Sequence, residues 1–391
     1  MKHPLRILTA VPICDGHDSA VITINLELAH HGVEVIYMGY DRAASAIARA
    51  AIQEDVHAIG ISSYNGGHIE FFAEVADRLH KFGGGDIPLF GGGGGTITAD
   101  DERLMKRRGA CDRIFYAGTP LKEIVATIVK EFSRTLGKQG GLKGDRKISR
   151  AITVAEGSKS EIRNPKEIRN RKRRSLKSEI SNLKSFVVGV TGPGGAGKST
   201  MIDELVRRFL ASRPRGRVAV LANDPSHPDS GGAILGDRAT MIYTQHDRVF
   251  MRSLATRGSL TGIAAAAPAA IEVLRASGEF DLIFVESVGI GQESDPFRLF
   301  SRSAGKLVDA TLAVMTPYYG GRIQLQKIGV LSGADFVAVN KCDQPSAKTA
   351  RVEIGQILEG NRKGQKLFGT IAARHADKGV DELFAEIQKK F

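Results

Sequence analysis

Cysteine is scarce in this chain: Cys14, Cys111 and Cys342 stand far apart and form no C-x-x-C. That excludes a disulfide framework and a cysteine-built zinc site, and it fits a reducing cytoplasm. No apolar run approaches the roughly 20 residues of a membrane span, so no transmembrane helix is expected. The amino-terminal apolar run is cut short at Asp15, too early for a signal peptide. Hydrophobic residues at 42% and charged residues at 25% are ordinary for a folded soluble protein, and 391 residues imply two or three domains.

Acidic residues are thinnest in one place. Residues 133–185 hold 16 Lys/Arg against 5 Asp/Glu, a net of +11 within a whole-chain +12. The segment contains "RNRKRR" and the near-repeats "KSEIRN" and "KSEISN". This composition reads as a low-complexity, solvated linker with room for some exposed helix, and no flanking RNA or DNA module argues for nucleic acid as a partner.

On either side, β-rich runs alternate with amphipathic segments. Before the linker, over residues 1–132, the runs are "RILTAV", "VEVIYMG", "AIGISSY", "IPLFG" and "RIFYAG". Val21, Ile24 and Leu28 share one helical face, as do Phe72, Val75 and Leu79. Five β-α units predict a flavodoxin-like, doubly wound parallel sheet. Over 186–391 the alternation returns in "FVVGVTG", "RVAVLAND", "DLIFVES", "DATLAVMT", "DFVAVNK" and "LFGTIAA". The fold class is therefore α/β twice over.

The second half carries the sharper motif. "GPGGAGKS", from Gly192 to Ser199, matches G-x-x-x-x-G-K-[S/T] between an apolar strand and a helical run, which defines a P-loop. Its backbone N–H groups at Gly192, Gly194, Gly195, Ala196 and Gly197 can surround phosphate, continuing into the helix start at Thr200. Lys198 would reach the β- and γ-phosphates, and Ser199 would bind Mg²⁺. "NKCD", Asn340, Lys341, Cys342 and Asp343, follows another strand. A carboxylate there accepts both N–H donors of guanine's edge, which adenine does not offer, so GTP is expected over ATP. "ESVG" delivers Glu286 beside the γ-phosphate and leaves Gly289 to offer its N–H; Glu286 stands where small GTPases have aspartate. Gln292 lies near enough in sequence to orient a water. For Asp224 and Asp237, spacing leaves a magnesium ligand and a plain cap or turn carboxylate equally open.

In a doubly wound sheet, ligands collect beyond the carboxyl ends of the strands. Three loops fall there: "DGHDSA" with Asp15, Gly16 and His17, "SSYNGG" with Ser62 and Tyr64, and "GGGGGT" with Gly92, Gly93, Gly94 and Gly95. No aspartate ends the third strand, which excludes a phosphoacceptor receiver. No G-x-G-x-x-G follows the first, which excludes a dinucleotide domain.

"NDPSHPDSGGAILGDR", "RSLATRGS" and "ESVGIGQ" resemble the G-protein chaperones of cobalamin-dependent acyl-CoA mutases, the MeaB and methylmalonic-aciduria type A group. The resemblance implies that Glu286, Asp224 and Asp237 lie around Mg²⁺; Thr240 stands where that family usually has a second arginine. The first half resembles cobalamin-binding domains of signature D-x-H-x-x-G, S-x-L and a glycine pair. In them the histidine ligates cobalt and the aspartate supports it, roles that fall to His17 and Asp15, while Ser62 lines the pocket for the displaced nucleotide tail. Ala20 and Tyr64 depart from that signature in the direction of the fused isobutyryl-CoA mutases, as does "VMTPYYGGRIQLQKIGVL".

The implied protein is a cobalamin-binding GTPase module. It takes adenosylcobalamin base-off, hydrolyses GTP with Mg²⁺, and gates cofactor loading or protection for a mutase barrel on another chain. A homo-oligomer and a cobalamin adenosyltransferase partner follow from the same resemblance, with a cytoplasmic location and neither nucleic acid nor membrane as partner. Two other readings stand beside it: a non-catalytic cobalamin carrier or sensor with a regulatory GTP switch, and an N-terminal fragment of a fused mutase.

Overall fold

The computed structural model describes residues 4–13, 15–133, 136, 141–159, 185–259, 261–289, 296–297, 307–318, 329–361 and 364–391. Backbone contacts divide the chain into two compact units. The first comprises Met1–Ser160 together with Asp224–Ala239 and Met251–Gly258. The second comprises Glu161–Asn223, Thr240–Phe250 and Ser259–Phe391.

In the first unit β1 (Arg6–Ala10), β2 (Glu34–Tyr37), β3 (Ala58–Ser62), β4 (Leu89–Gly92) and β5 (Arg113–Phe115) pair in parallel in the order 5-4-3-1-2. That is the flavodoxin-like order expected. Side-chain alternation puts Ile7, Val35 and Phe90 on one face, against α1 (Ser19–His30) and α5 (Leu121–Phe132). Leu8, Ile36, Ile59 and Ile61 face α2 (Ala44–Gln53) and α3 (His68–Lys81). The predicted faces hold: Val21, Leu28, Phe72, Val75 and Leu79 are buried, and Ile24 is partly buried against the same cluster as Leu28. Next along the chain, α4 (Ala99–Arg107) begins at a capping box in which Thr98 and Asp101 satisfy each other's backbone.

Two features of the first unit depart from the expectation. The linker reading over 133–185 is corrected for part of its length, because α6 (Gly144–Lys159) is a helix of the first unit. Its Ile148 and Ile152 are buried, Ser149 Oγ donates to Ile52 O at 2.7 Å, and Arg150 Nε holds both oxygens of Asp55 at 2.8 and 3.0 Å. Two isoleucines four residues apart form a narrow apolar stripe that the surrounding Lys, Arg and Gly obscure. The second departure is β8 (Ala233–Leu235), which extends the first sheet by pairing in parallel with β2, Val35 opposite Ile234. An otherwise open edge is thereby covered.

A buried charge cluster ties these additions in. Glu54 accepts from Arg6 at 2.8 Å, from Arg238 at 3.0 Å and from the Ser253 N–H at 3.0 and 3.1 Å. Glu34 pairs with Arg6 and with Arg257, and Glu156 pairs with Arg252 and Arg257 at 3.2 Å. Burial alone would raise the Glu34 carboxyl; the Arg6 and Arg257 guanidiniums outweigh it and hold it below the usual range.

The second unit is built on β6 (Phe186–Thr191), β7 (Val218–Asp224), β10 (Leu282–Glu286), β11 (Ala310–Met315), β12 (Phe336–Val339) and β13 (Lys366–Gly369); β9 (Val249–Ala255) belongs to the same sheet, with its residues from Met251 onward counted in the first unit. Their sheet order is 13-12-11-6-10-7-9. Its helices are α7 (Lys198–Ser212), α9 (Ala267–Ser277), α10 (Gly329–Gly333), α11 (Ala347–Gly360) and α12 (Lys378–Gln388). The short α8 (Asp237–Thr240) precedes β9. Among the described residues no helix is long and apolar enough to cross a membrane.

Candidate functional sites

At the carboxyl edge of the first sheet, Asp15 is the organiser. Its carboxylate is 1% exposed, and Oδ1 accepts the His17 N–H at 3.1 Å and sits 2.9 Å from His17 Nδ1. Oδ2 accepts the backbone N–H of Tyr64 at 2.6 Å and of Asn65 at 3.2 Å. One carboxylate thus fastens the first loop to the third. Burial would raise its pKa, but the donors from Tyr64, His17 and Asn65 prevail and lower it, keeping it an acceptor.

With Nδ1–H donated to Asp15, the His17 ring presents Nε2 as a lone pair, and the side chain is 62% exposed. Its ring lies 4.6 Å from that of Tyr64, tilted 37°. The glycine loop meets the same tyrosine: at Gly94, where φ is +51°, a Cβ would stand 2.6 Å from the Tyr64 ring. Only glycine permits that approach. Gly92 pairs with Ser62 across β3 and β4, and the Ser63 N–H donates to Gly92 O at 2.9 Å. The three loops predicted to converge therefore do. Exposed Ile13, Tyr40, Tyr64 and Tyr116 follow β1, β2, β3 and β5 around this edge. An imidazole held by a carboxylate, beside bare glycine backbone, fits a large ligand whose metal takes a nitrogen donor.

In the second unit the P-loop joins β6 to α7, with positive φ at Gly192, Gly195 and Gly197. Ser199 Oγ donates to Glu286 Oε1 at 2.9 Å, which brings the hydroxyl and the strand-end carboxylate together. Lys198 is buried, and its Nζ donates to Pro193 O at 3.2 Å. Gly289 presses on the loop so closely that a Cβ there would fall 2.6 Å from Gly194 Cα and 2.9 Å from Lys198 Nζ. At the end of β12, Asn340 Nδ2 donates to Ala196 O at 2.9 Å, fixing "NKCD" to the P-loop. Lys341 adopts φ +60°, and Asp343 is exposed at the turn.

Asp224 closes β7 and Asp237 opens α8; both are counted with the first unit. Among the described residues no three His, Cys, Asp or Glu side chains assemble as a metal-holding group. Gln292 lies outside the described residues.

Sequence reasoning missed the supports. Asn340 Oδ1 accepts from the Ala372 N–H at 2.9 Å and from Thr370 Oγ1 at 3.3 Å. "GTIAA" sits at a strand end just as "NKCD" does, and that position could have flagged it. Asp203, on the helix after the P-loop, accepts the backbone N–H groups of Ile242 and Tyr243, both at 2.9 Å. Burial pushes its carboxyl up to about 6 despite those donors. A raised folded-state pKa means that its contribution to stability is full below pH 4 and is lost as pH rises through about 6. Asp203→Asn is therefore expected to flatten the fall in unfolding free energy between pH 4 and 6, by on the order of 2 kcal/mol. Urea denaturation across that range reads the difference.

A parallel sheet whose loops carry a histidine–aspartate pair, in one chain with a P-loop and an N-K-x-D turn, defines a P-loop GTPase joined to a ligand-binding α/β domain. The chain belongs to the family of the methylmalonyl Co-A mutase-associated GTPase MeaB, which residues 148–391 match. Residues 5–125 match the B12 binding domain. The fused isobutyryl-CoA mutase of Cupriavidus metallidurans is 36% identical over 401 residues, covering 97% of this chain and 35% of that protein. That of Geobacillus kaustophilus is 35% identical over 413 residues, covering 99% and 36%. The chain thus spans about a third of the length of these fused mutases.

Proposed function

We propose that this chain binds adenosylcobalamin base-off through His17 and hydrolyses GTP with Mg²⁺ to gate cofactor loading or protection for an acyl-CoA mutase barrel. The observation that carries it is the Asp15–His17 pair, 2.9 Å apart, at an edge where two further loops converge. Asp15 fixes the tautomer that leaves Nε2 as the donor atom, as a support for a metal-bound imidazole does. The glycine loop gives a macrocycle room, Ser62 faces the displaced tail, and the exposed apolar residues around His17 suit a partner surface. Bound adenosylcobalamin supplies cobalt–carbon homolysis, the radical source for carbon-skeleton rearrangement.

In the second unit, Ser199 and Glu286 would hold Mg²⁺, Lys198 would neutralise the phosphates and Gln292 would orient water. The Asn340-anchored turn reads guanine through Asp343. In this reading the chain acts as a cytoplasmic homo-oligomer that receives its cofactor from a cobalamin adenosyltransferase.

Adding adenosylcobalamin to the purified chain should give a base-off, histidine-on absorption spectrum, and His17→Ala should abolish it while GTP turnover persists. A spectrum unchanged by His17→Ala removes the cobalt assignment. Supplying the remaining portion of a fused isobutyryl-CoA mutase as a separate polypeptide should restore acyl-CoA rearrangement. GTP-dependent partner binding with negligible hydrolysis would instead favour the carrier reading.

A further inference from the structure

Asn223 is a polar side chain near the end of an apolar strand, 3% exposed. An unsatisfied amide there would cost several kcal/mol on transfer from water, so its bonds matter. Both ends are used: Nδ2 donates to Glu286 O at 2.7 Å, and Oδ1 accepts the Ala264 N–H at 2.8 Å. One amide therefore joins β7, the end of β10 and the loop that leads into α9.

The same short stretch is pinned residue by residue. The Ser287 N–H donates to Val190 O at 2.9 Å and its Oγ lies 3.0 Å from Thr191 Oγ1, while the Val288 N–H donates to Gly262 O at 2.9 Å. Glu286 is thus set from behind through its carbonyl while its Oε1 takes the Ser199 hydroxyl in front. Gly289, two residues after Ser287, abuts the P-loop.

Resting on the reading of this unit as a GTPase, we infer that Asn223 is a positioning residue for hydrolysis. It orients Glu286 toward the metal and γ-phosphate side, and it makes the 261–266 loop move with that carboxylate. Leucine offers neither the donor nor the acceptor, and aspartate faces the Glu286 carbonyl with a like partial charge.

The test is a double-mutant cycle on the full chain. Asn223→Leu should lower kcat about tenfold or more, with the affinity for a fluorescent GDP within about threefold of wild type and the melting temperature recorded alongside. In a Glu286→Ala background the same substitution should have little further effect, because the residue acts through Glu286. Amide hydrogen exchange should rise together at Ala264 and Val288. Unchanged kcat in a folded variant overturns the inference, as does an equal loss in the Glu286→Ala background or a parallel fall in nucleotide affinity. Asn223→Asp, which keeps the acceptor and loses the donor, should retain the exchange protection at Ala264 but not kcat; retained kcat counts against the inference. Absence of turnover in the wild-type chain would instead refute the GTPase reading beneath it.

Discussion

Glu54→Ala is expected to destabilise the first unit by about 3–5 kcal/mol, the range found when one partner of a buried ion pair is removed. The reason is in the count of what it leaves. Arg6 and Arg238 each direct a guanidinium at this carboxylate, and the Ser253 N–H bonds both its oxygens. Arg6 and Arg238 are 1% and 3% exposed, so water cannot replace the lost acceptor. Glu54→Gln keeps the shape and one acceptor oxygen but drops the charge, and should fall between the two. For a unit of this size the alanine change corresponds to a drop in melting temperature on the order of 10 °C. Circular dichroism on heating measures it, and a drop of only 1–2 °C would mean that the cluster relaxes to admit solvent.

Asp343→Asn should reverse the base preference of the second unit. The carboxylate can accept the ring N–H and the exocyclic amino group of guanine together. An asparagine retains one acceptor and turns a donor toward the amino group, leaving two donors opposed. Sites built to pair a polar group commonly reject a mismatched analogue by 10⁴-fold or more, so GTP affinity should fall by about 10²–10⁴-fold. Xanthine carries an oxygen where guanine has the amino group, and the asparagine amide matches it, so XTP should bind better than GTP. The substitution is local: the turn is held by Asn340, through Ala196 and Ala372, and Asp343 itself is exposed. Fluorescent-nucleotide displacement with GTP, ATP and XTP reads the outcome, and an unaltered GTP-over-ATP ratio would remove the assignment.

Most of the architecture was legible because most strands of the two sheets are short apolar runs bounded by polar turns; β9, whose "VFMRSLA" is broken by Arg252 and Ser253, was not read as a strand. "RILTAV" contains β1 and "DLIFVES" contains β10. The P-loop was legible for a different reason, since its glycines and Lys198 are fixed by phosphate geometry whatever surrounds them. β8 was hidden: three residues within "SGGAILGDR" make no periodic pattern, and their partner is β2, some 200 positions earlier. α6 was hidden by composition, its two buried isoleucines outnumbered by charge. At the site, His17 and Asp15 could be named from spacing, but the bond from Asp15 to the Tyr64 N–H could not. It uses backbone, which carries no residue label. Asn223 was passed over because an asparagine beside an aspartate in "LANDPS" reads as turn chemistry, whereas it lies within β7.

The first unit is also not written in one stretch of chain. Its outer strand, the buried Arg238 and Arg252, and the more exposed Arg257 come from beyond residue 223, while Glu34, Glu54 and Glu156 come from before residue 160. A fragment ending at 160 would present β2 with its pairing groups bare and its buried acids short of three cations. A single peptide-bond cut between 160 and 185 leaves the first unit shared by two polypeptides, each holding part of one core. Such a nicked protein should stay together until it is denatured.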